Sequence, residues 1–166
     1  TCMLLYGVSA AHQQAVVALV ITAPPAVGQA ETIAETCEAG DESPSHTALR
    51  GIAEELLGSP KGGAGGRRAV ATLWRALVAS GARLRHLGGD QESPHRVYAL
   101  HAGALFGDGI DGAVRRFQTN DECTAVVLVP IAGLTGRAGE AAVTDVAGDS
   151  WSLRGGRHLG ERRISH

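Results

Sequence analysis

Two adjacent carboxylates, Glu54 and Glu55, with Arg50 just ahead of them, are the residues whose types best suit chemistry in this chain. Adjacent carboxylates on a loop-capped helix can hold a hard cation such as Mg²⁺, which takes oxygen ligands and keeps several waters. Such an ion bridges the oxygens of a diphosphate and neutralises charge as a P–O bond breaks. Glu42 stands at the lip of the preceding loop, and a bidentate Arg50–Glu42 pair would pin that loop against the helix. A second acidic stretch, Asn120-Asp121-Glu122, precedes an apolar run ending in Val129-Pro130. Taken alone the pair assigns nothing, because Glu-Glu pairs on helices are commonly solvated surface.

The elements that must position these residues follow from periodicity. Ala15 to Ile21 is a continuous small and β-branched run, stopped at Pro24-Pro25, which predicts a strand buried on both faces. Gly28 to Glu42 reads as a long polar loop with room for a short edge strand. Ser43 is a good cap and Pro44 suits the first helical turn, so a helix is predicted from Pro44 to about Leu57, stopping at Gly58-Ser59-Pro60. Its apolar stripe is Leu49, Ile52, Ala53 and Leu56. Gly58 to Gly66 is a spacer; Lys61 lacks the following Ser or Thr of a phosphate-binding loop. Arg67 to Ser80 is the clearest amphipathic helix, with Val70, Leu73, Trp74, Leu77 and Val78 on one face and Trp74 assigned to packing. Strands are predicted at 82–87, 96–106 and 123–131. Gly107 to Gly112 fits G-x-G-x-x-G, yet no long helix or later acid follows, so a hairpin turn is preferred there. Gly148-Asp149-Ser150-Trp151-Ser152 reads as a loop rather than a serine-nucleophile motif. Strands interleaved with two helices give a mixed α/β or α+β domain.

Composition narrows the classes. A chain of 166 residues with 44% apolar and 19% charged residues suits a single soluble domain with a true core. A net charge of −2 without a basic block excludes a general attraction for nucleic-acid backbones, while leaving room for one small anion. Cys2, Cys37 and Cys123 show neither a disulfide framework nor zinc spacing and read as buried free thiols. The longest apolar run, Ala15 to Pro25, is shorter than the ~20 residues a bilayer span needs. Met3-Leu4-Leu5 lacks the features of a secretory leader, so the expected compartment is the cytoplasm, and the Thr1 start suggests a trimmed or omitted N-terminal piece. His12, His46, His86, His95 and His101 are dispersed, and Arg96, Arg115 and Arg116 read as solvated.

The spacing Glu42-x7-Arg50-x-Ile52-x-Glu54-Glu55 resembles the Nudix box, G-x5-E-x7-R-E-U-x-E-E-x-G-U, where U is a bulky aliphatic. The approach Gly40-Asp41-Glu42, Ala48, the preceding strand and the later Asn120-Asp121-Glu122 with its Val-Pro strand and Leu134 are also similar to that family. The resemblance covers roughly residues 12–135. It implies a Nudix-like α/β/α sandwich around a mixed sheet over 1–135, a helical insertion at 59–81, and a C-terminal segment 136–166 that does not align. It further implies a Mg²⁺-dependent hydrolase, with Mn²⁺ as a substitute, cleaving the pyrophosphate of a nucleoside diphosphate linked to another moiety. Glu54 and Glu55 would be metal ligands, Glu55 and Glu122 catalytic, and Glu42–Arg50 the structural pair. The partner is then a small nucleotide derivative, with neither nucleic acid nor membrane, and homodimers are common among similar proteins.

Three departures qualify the box. Thr36 falls where the family opens with Gly, and Leu57-Gly58 reads as a one-residue extension of the helix. Gly51 replaces the acid that follows Arg, on the same helix face as Glu54 and Glu55. Either Glu122 or Asp121 completes the acidic set, or the enzyme runs slowly with two ligands. The alternative is a catalytically impaired Nudix-fold domain that binds a nucleotide or a protein partner.

Overall fold

In this computed structural model the described residues are 1–24, 28–88, 96–135 and 142–153. The chain opens with a strand that the hydrophobic pattern had not revealed, β1 (Cys2–Ser9). Its inward positions Met3 and Leu5 alternate with half-buried Leu4 and Tyr6, so the signal is spread over two faces. β2 (Gln14–Thr22) returns antiparallel to it, Leu5 facing Ala18 and Ser9 facing Gln14. β2 is buried on both faces from Val16 to Thr22, as its unbroken apolar run requires.

The polar stretch after β2 holds two short strands, β3 (Gln29–Glu31) beside β2 and β4 (Ile33–Ala34) beside the start of β1. Helix α1 (Pro44–Gly51) follows, capped by Ser43, whose side chain accepts from the His46 N–H. The chain then widens into a π segment, Ile52–Leu56, closed by Leu57 N–H donating to the Ile52 carbonyl at 3.1 Å. Single π turns of this kind inside helices are rare and frequent at functional sites. Gly58, at φ +62, ends it in a conformation that favours glycine.

Helix α2 (Gly63–Ser80) begins four residues before the predicted Arg67 and stops at left-handed Gly81. β5 (Arg85–Gly88) pairs with β6 (Val97–His101), which runs parallel to β1. The strand expected over 96–106 is therefore shorter, giving way to a 3₁₀ turn at Ala102–Ala104. The predicted hairpin turn at Gly107–Gly112 is instead the start of helix α3 (Gly109–Arg115). Two Asp-Gly steps suggested a turn, but Ile110 and Ala113 bury against the sheet and carry the segment into a helix. β7 (Cys123–Pro130) lies antiparallel to the other edge of β2, and β8 (Ala142–Thr144) and β9 (Ser150–Leu153) join through β3. Ser150 to Ser152 are thus strand, not loop. Residues 154–166 and His95 lie outside the described residues.

The result is an α+β domain built on a mixed sheet with path β5-β6-β1-β2-β3-β9-β8. One face carries the main core, where Met3, Leu5, Val16, Ala18 and Val20 meet Leu49, Ile52 and Leu56 of the α1–π helix and Val70, Leu73 and Leu77 of α2. A smaller cluster around Val17, Leu19, Ile21 and Val129 fills the other. Consecutive residues of β2 feed the two clusters alternately, as the strand pleat dictates. No helix among the described residues is long and apolar enough to cross a membrane.

Candidate functional site

Arg50 projects from the last turn of α1 into the loop between β4 and α1, and nearly every donor on its guanidinium is engaged. Nε and Nη2 reach the two oxygens of Asp41 at 3.3 and 3.1 Å. Nη1 lies 3.0 Å from Glu35, 3.1 Å from Glu38 and 3.3 Å from Glu54, and Nη2 also donates to the Thr36 carbonyl. The expected loop-to-helix clamp exists, but its carboxylate is Asp41 rather than Glu42. Glu42 is exposed and its backbone N–H donates to His46 Nδ1 at 3.3 Å. The reason is loop register: Asp41 also accepts from Glu38 N–H and Thr47 Oγ1, both at 2.9 Å, and so closes the turn before the Ser43 cap. Burial works against charge on Asp41 and Arg50, yet their mutual bonds prevail, holding Asp41 below and Arg50 above their usual ranges.

Glu35 was not among the residues singled out from sequence, and the structure gives it a central place. It follows β4 with the same parity as buried Ile33, so both side chains turn toward the helix. A Cβ built on Gly51 would lie 3.0 Å from Ile33 Cγ2 and 3.1 Å from Glu35 Cγ. The space beside position 51 is therefore already filled, and one of the groups filling it carries a carboxylate. Gly51→Ala is expected to destabilise by up to about 2 kcal/mol, an overpacking cost of about 1–3 kcal/mol less the ~1 kcal/mol gained in helix propensity. An unchanged or raised urea midpoint for that variant would show that the packing yields.

Glu54 and Glu55 occupy the π segment, both buried. Burial first, then the Glu35 carboxylate, pushes Glu54 above its ordinary range, with Arg50 opposing. Glu55 Oε1 accepts from the Ala34 N–H at 3.0 Å. Burial, reinforced by Glu35, Glu31 and Glu122 and opposed by the Ala34 bond, raises Glu55 to about 8. Glu122 does approach this carboxylate, as part of a cleft of about 590 Å³ that includes Glu31, Glu35, Glu55 and Lys61. It arrives paired with Lys61, 2.5 Å away. Lys61 is the cation of that wall among the described residues, so the Gly-rich spacer also delivers a charge to the site.

Asn120 joins the two halves. Its amide donates to the Glu54 and Glu55 carbonyls at 3.0 and 3.2 Å, and its Oδ1 accepts from Glu122 N–H and Cys123 N–H. The carbonyls it serves belong to the π segment, where the helical ladder is out of step. The 120–123 turn is thereby fixed against the helix that carries both acids. Cys123 is buried, whereas Cys37 is exposed, contrary to its predicted burial.

On the other side of Glu54 a groove of about 570 Å³ runs between α1 and α2, walled by Asp41, His46, Arg50 and Trp74. Trp74 was assigned to packing; it is 43% exposed and lines this groove, because Val70, Leu73 and Leu77 already dock α2 on the core.

No family model, curated protein or solved structure matches the chain.

The chemistry must then be read from the geometry. It consists of a helix locked by one buried arginine, two buried acids on its π turn, and further carboxylates on β3, just after β4 and in the turn before β7 that line one cleft. Among the described residues, no three His, Cys, Asp or Glu side chains stand close enough together to enclose a metal ion as they are.

Proposed function

We propose that this chain is a metal-dependent pyrophosphohydrolase of the Nudix type, built on an α/β/α form of the α+β fold. The observation that carries the reading is Glu55, buried on an arginine-locked helix beside three further carboxylates and raised to about 8. Glu31, Glu35, Glu55 and Glu122 share this cleft, Glu35 paired with Arg50 and Glu122 with Lys61, and the four offer only hard oxygen donors. That set suits a divalent ion of the Mg²⁺ class. The residues proposed to hold it are Glu54 and Glu55, with Glu35 nearby, and these side chains would have to draw together to do so. When bound, the ion supplies charge neutralisation on a diphosphate and orients water. The protein's own part is to fix the acids through Arg50 and Asn120, to hold a proton on Glu55 near neutral pH, and to present Lys61 at the cleft mouth. The substrate class is a nucleoside diphosphate derivative.

The test is a panel of such derivatives, each incubated with Mg²⁺ or Mn²⁺ and assayed for phosphate or nucleoside monophosphate. Release that stops on adding EDTA is the expected result. Silence across the panel with both metals removes the hydrolase reading.

A second reading has its own observation: Glu55 is already engaged by the Ala34 N–H, and the acids do not close on a point. A non-catalytic nucleotide-binding domain would look this way. Nucleotide-induced thermal stabilisation without any product would favour it.

A further inference from the structure

We propose that the groove between α1 and α2 binds the aromatic base of a nucleotide, with Trp74 as its stacking surface. The proposal deepens the reading above by placing the part of the substrate that does not react. Three observations support it. Trp74 presents a large ring to the groove from a rigid helix whose docking onto the core is carried by other residues. An exposed ring of that size offers a base the stacking surface typical of nucleotide sites. Arg67, two turns earlier on the same face, makes no hydrogen bond or ion pair among the described residues and also lines the groove. The axial separation from Trp74 to Arg67 is about 10 Å at 1.5 Å per residue, comparable with the reach from a base to its phosphates. Finally, the groove and the carboxylate cleft adjoin where Lys61 borders one and Gly62 the other. A ligand with its base on Trp74 and its phosphates toward Arg67 would lie along the groove that Glu54 also lines, with its diphosphate toward the end where the two pockets adjoin. Across the groove, Glu42 offers an exposed acceptor for the ring N–H groups of a base. A bare phosphate would leave Trp74 unused, and a purely apolar partner would desolvate Arg67 and Glu42 without compensation.

The chain contains two tryptophans, so Trp151→Phe makes Trp74 the sole indole reporter. Fluorescence is followed in EDTA, where no turnover occurs, during titration with ADP, GDP and UDP and separately with inorganic pyrophosphate. Saturable quenching by at least one nucleotide, and none by pyrophosphate, is expected. Calorimetry on the otherwise unaltered chain supplies the second arm. Trp74→Ala should weaken nucleotide binding by about tenfold or more, the scale of one base stack, while Trp74→Tyr stays within a few-fold. The proposal is overturned if no nucleotide quenches, if pyrophosphate quenches equally, or if Trp74→Ala binds nucleotide as the parent does. Its failure is separable from that of the hydrolase reading. Quenching without Mg²⁺-dependent cleavage removes only the enzyme, and cleavage without quenching removes only this site.

Discussion

Glu55→Gln is expected to lower Mg²⁺-dependent turnover by at least the ~10²–10⁴-fold associated with losing a positioned acid or base, while making the protein more stable in mild alkali. Both effects come from one property. The carboxyl is held at about 8 in the fold against an ordinary value of 4.5. Between those values the folded chain keeps a proton that the unfolded chain releases, so stability falls as pH rises. The slope is about 1.4 kcal/mol per pH unit, levelling off above pH 8. Gln carries no such proton, and its profile should lack this slope. Urea midpoints at pH 5, 6.5 and 8 read the difference directly, which should widen with pH. Parallel profiles would mean that the carboxyl is not held protonated, and unchanged turnover would remove Glu55 from the chemistry.

Arg50→Ala carries the largest expected loss of stability. The guanidinium is buried and shared among Asp41, Glu35, Glu38, Glu54 and the Thr36 carbonyl. Removing it strands those carboxylates together without a cation, for which about 3–5 kcal/mol is typical. For a domain of this size each kcal/mol moves Tm by roughly 2–4 °C, so a fall of roughly 6–20 °C is expected by scanning calorimetry. Glu42→Ala, at an exposed position outside that network, should stay within about 0.5 kcal/mol. The contrast discriminates between the two carboxylates. A larger loss at Glu42 than at Arg50 would restore the pairing that the motif spacing suggests.

How much of this was legible in the sequence depended on how local the signal was. The α1 helix, its Ser43 cap and its Gly58 stop were readable because cap, stripe and stop all sit within one short segment. β2 and β7 were readable because both are continuous apolar runs. β1 was not, since its apolar residues divide between two faces. Helix α3 was hidden by Asp-Gly steps whose turn preference is overridden by burial of Ile110 and Ala113. At the site, the arginine clamp followed from residue type and spacing, but whether Asp41 or Glu42 fills it depends on the turn closed by Thr47 and Glu38. Glu35 was out of reach for a similar reason: its orientation follows from β4, two residues long and defined only by pairing with β1. Trp74 was misjudged because periodicity places it beside Leu73 and Leu77 without saying how wide the buried stripe is. The question posed by Gly51 changed most. The space beside it is filled by Ile33 Cγ2 and the methylenes of Glu35, so a side chain at position 51 meets packing before it meets any ligand.

The proposal that Glu55 gives up a proton to ligate a divalent ion is tested most directly by calorimetric titration of Mg²⁺ at pH 7 in buffers of different ionisation enthalpy. Because ligating carboxyls must be deprotonated, binding should release about one proton per ion, and the release should vanish by pH 9. Mg²⁺ binding with no proton release at pH 7, or no binding at either pH, would contradict the account.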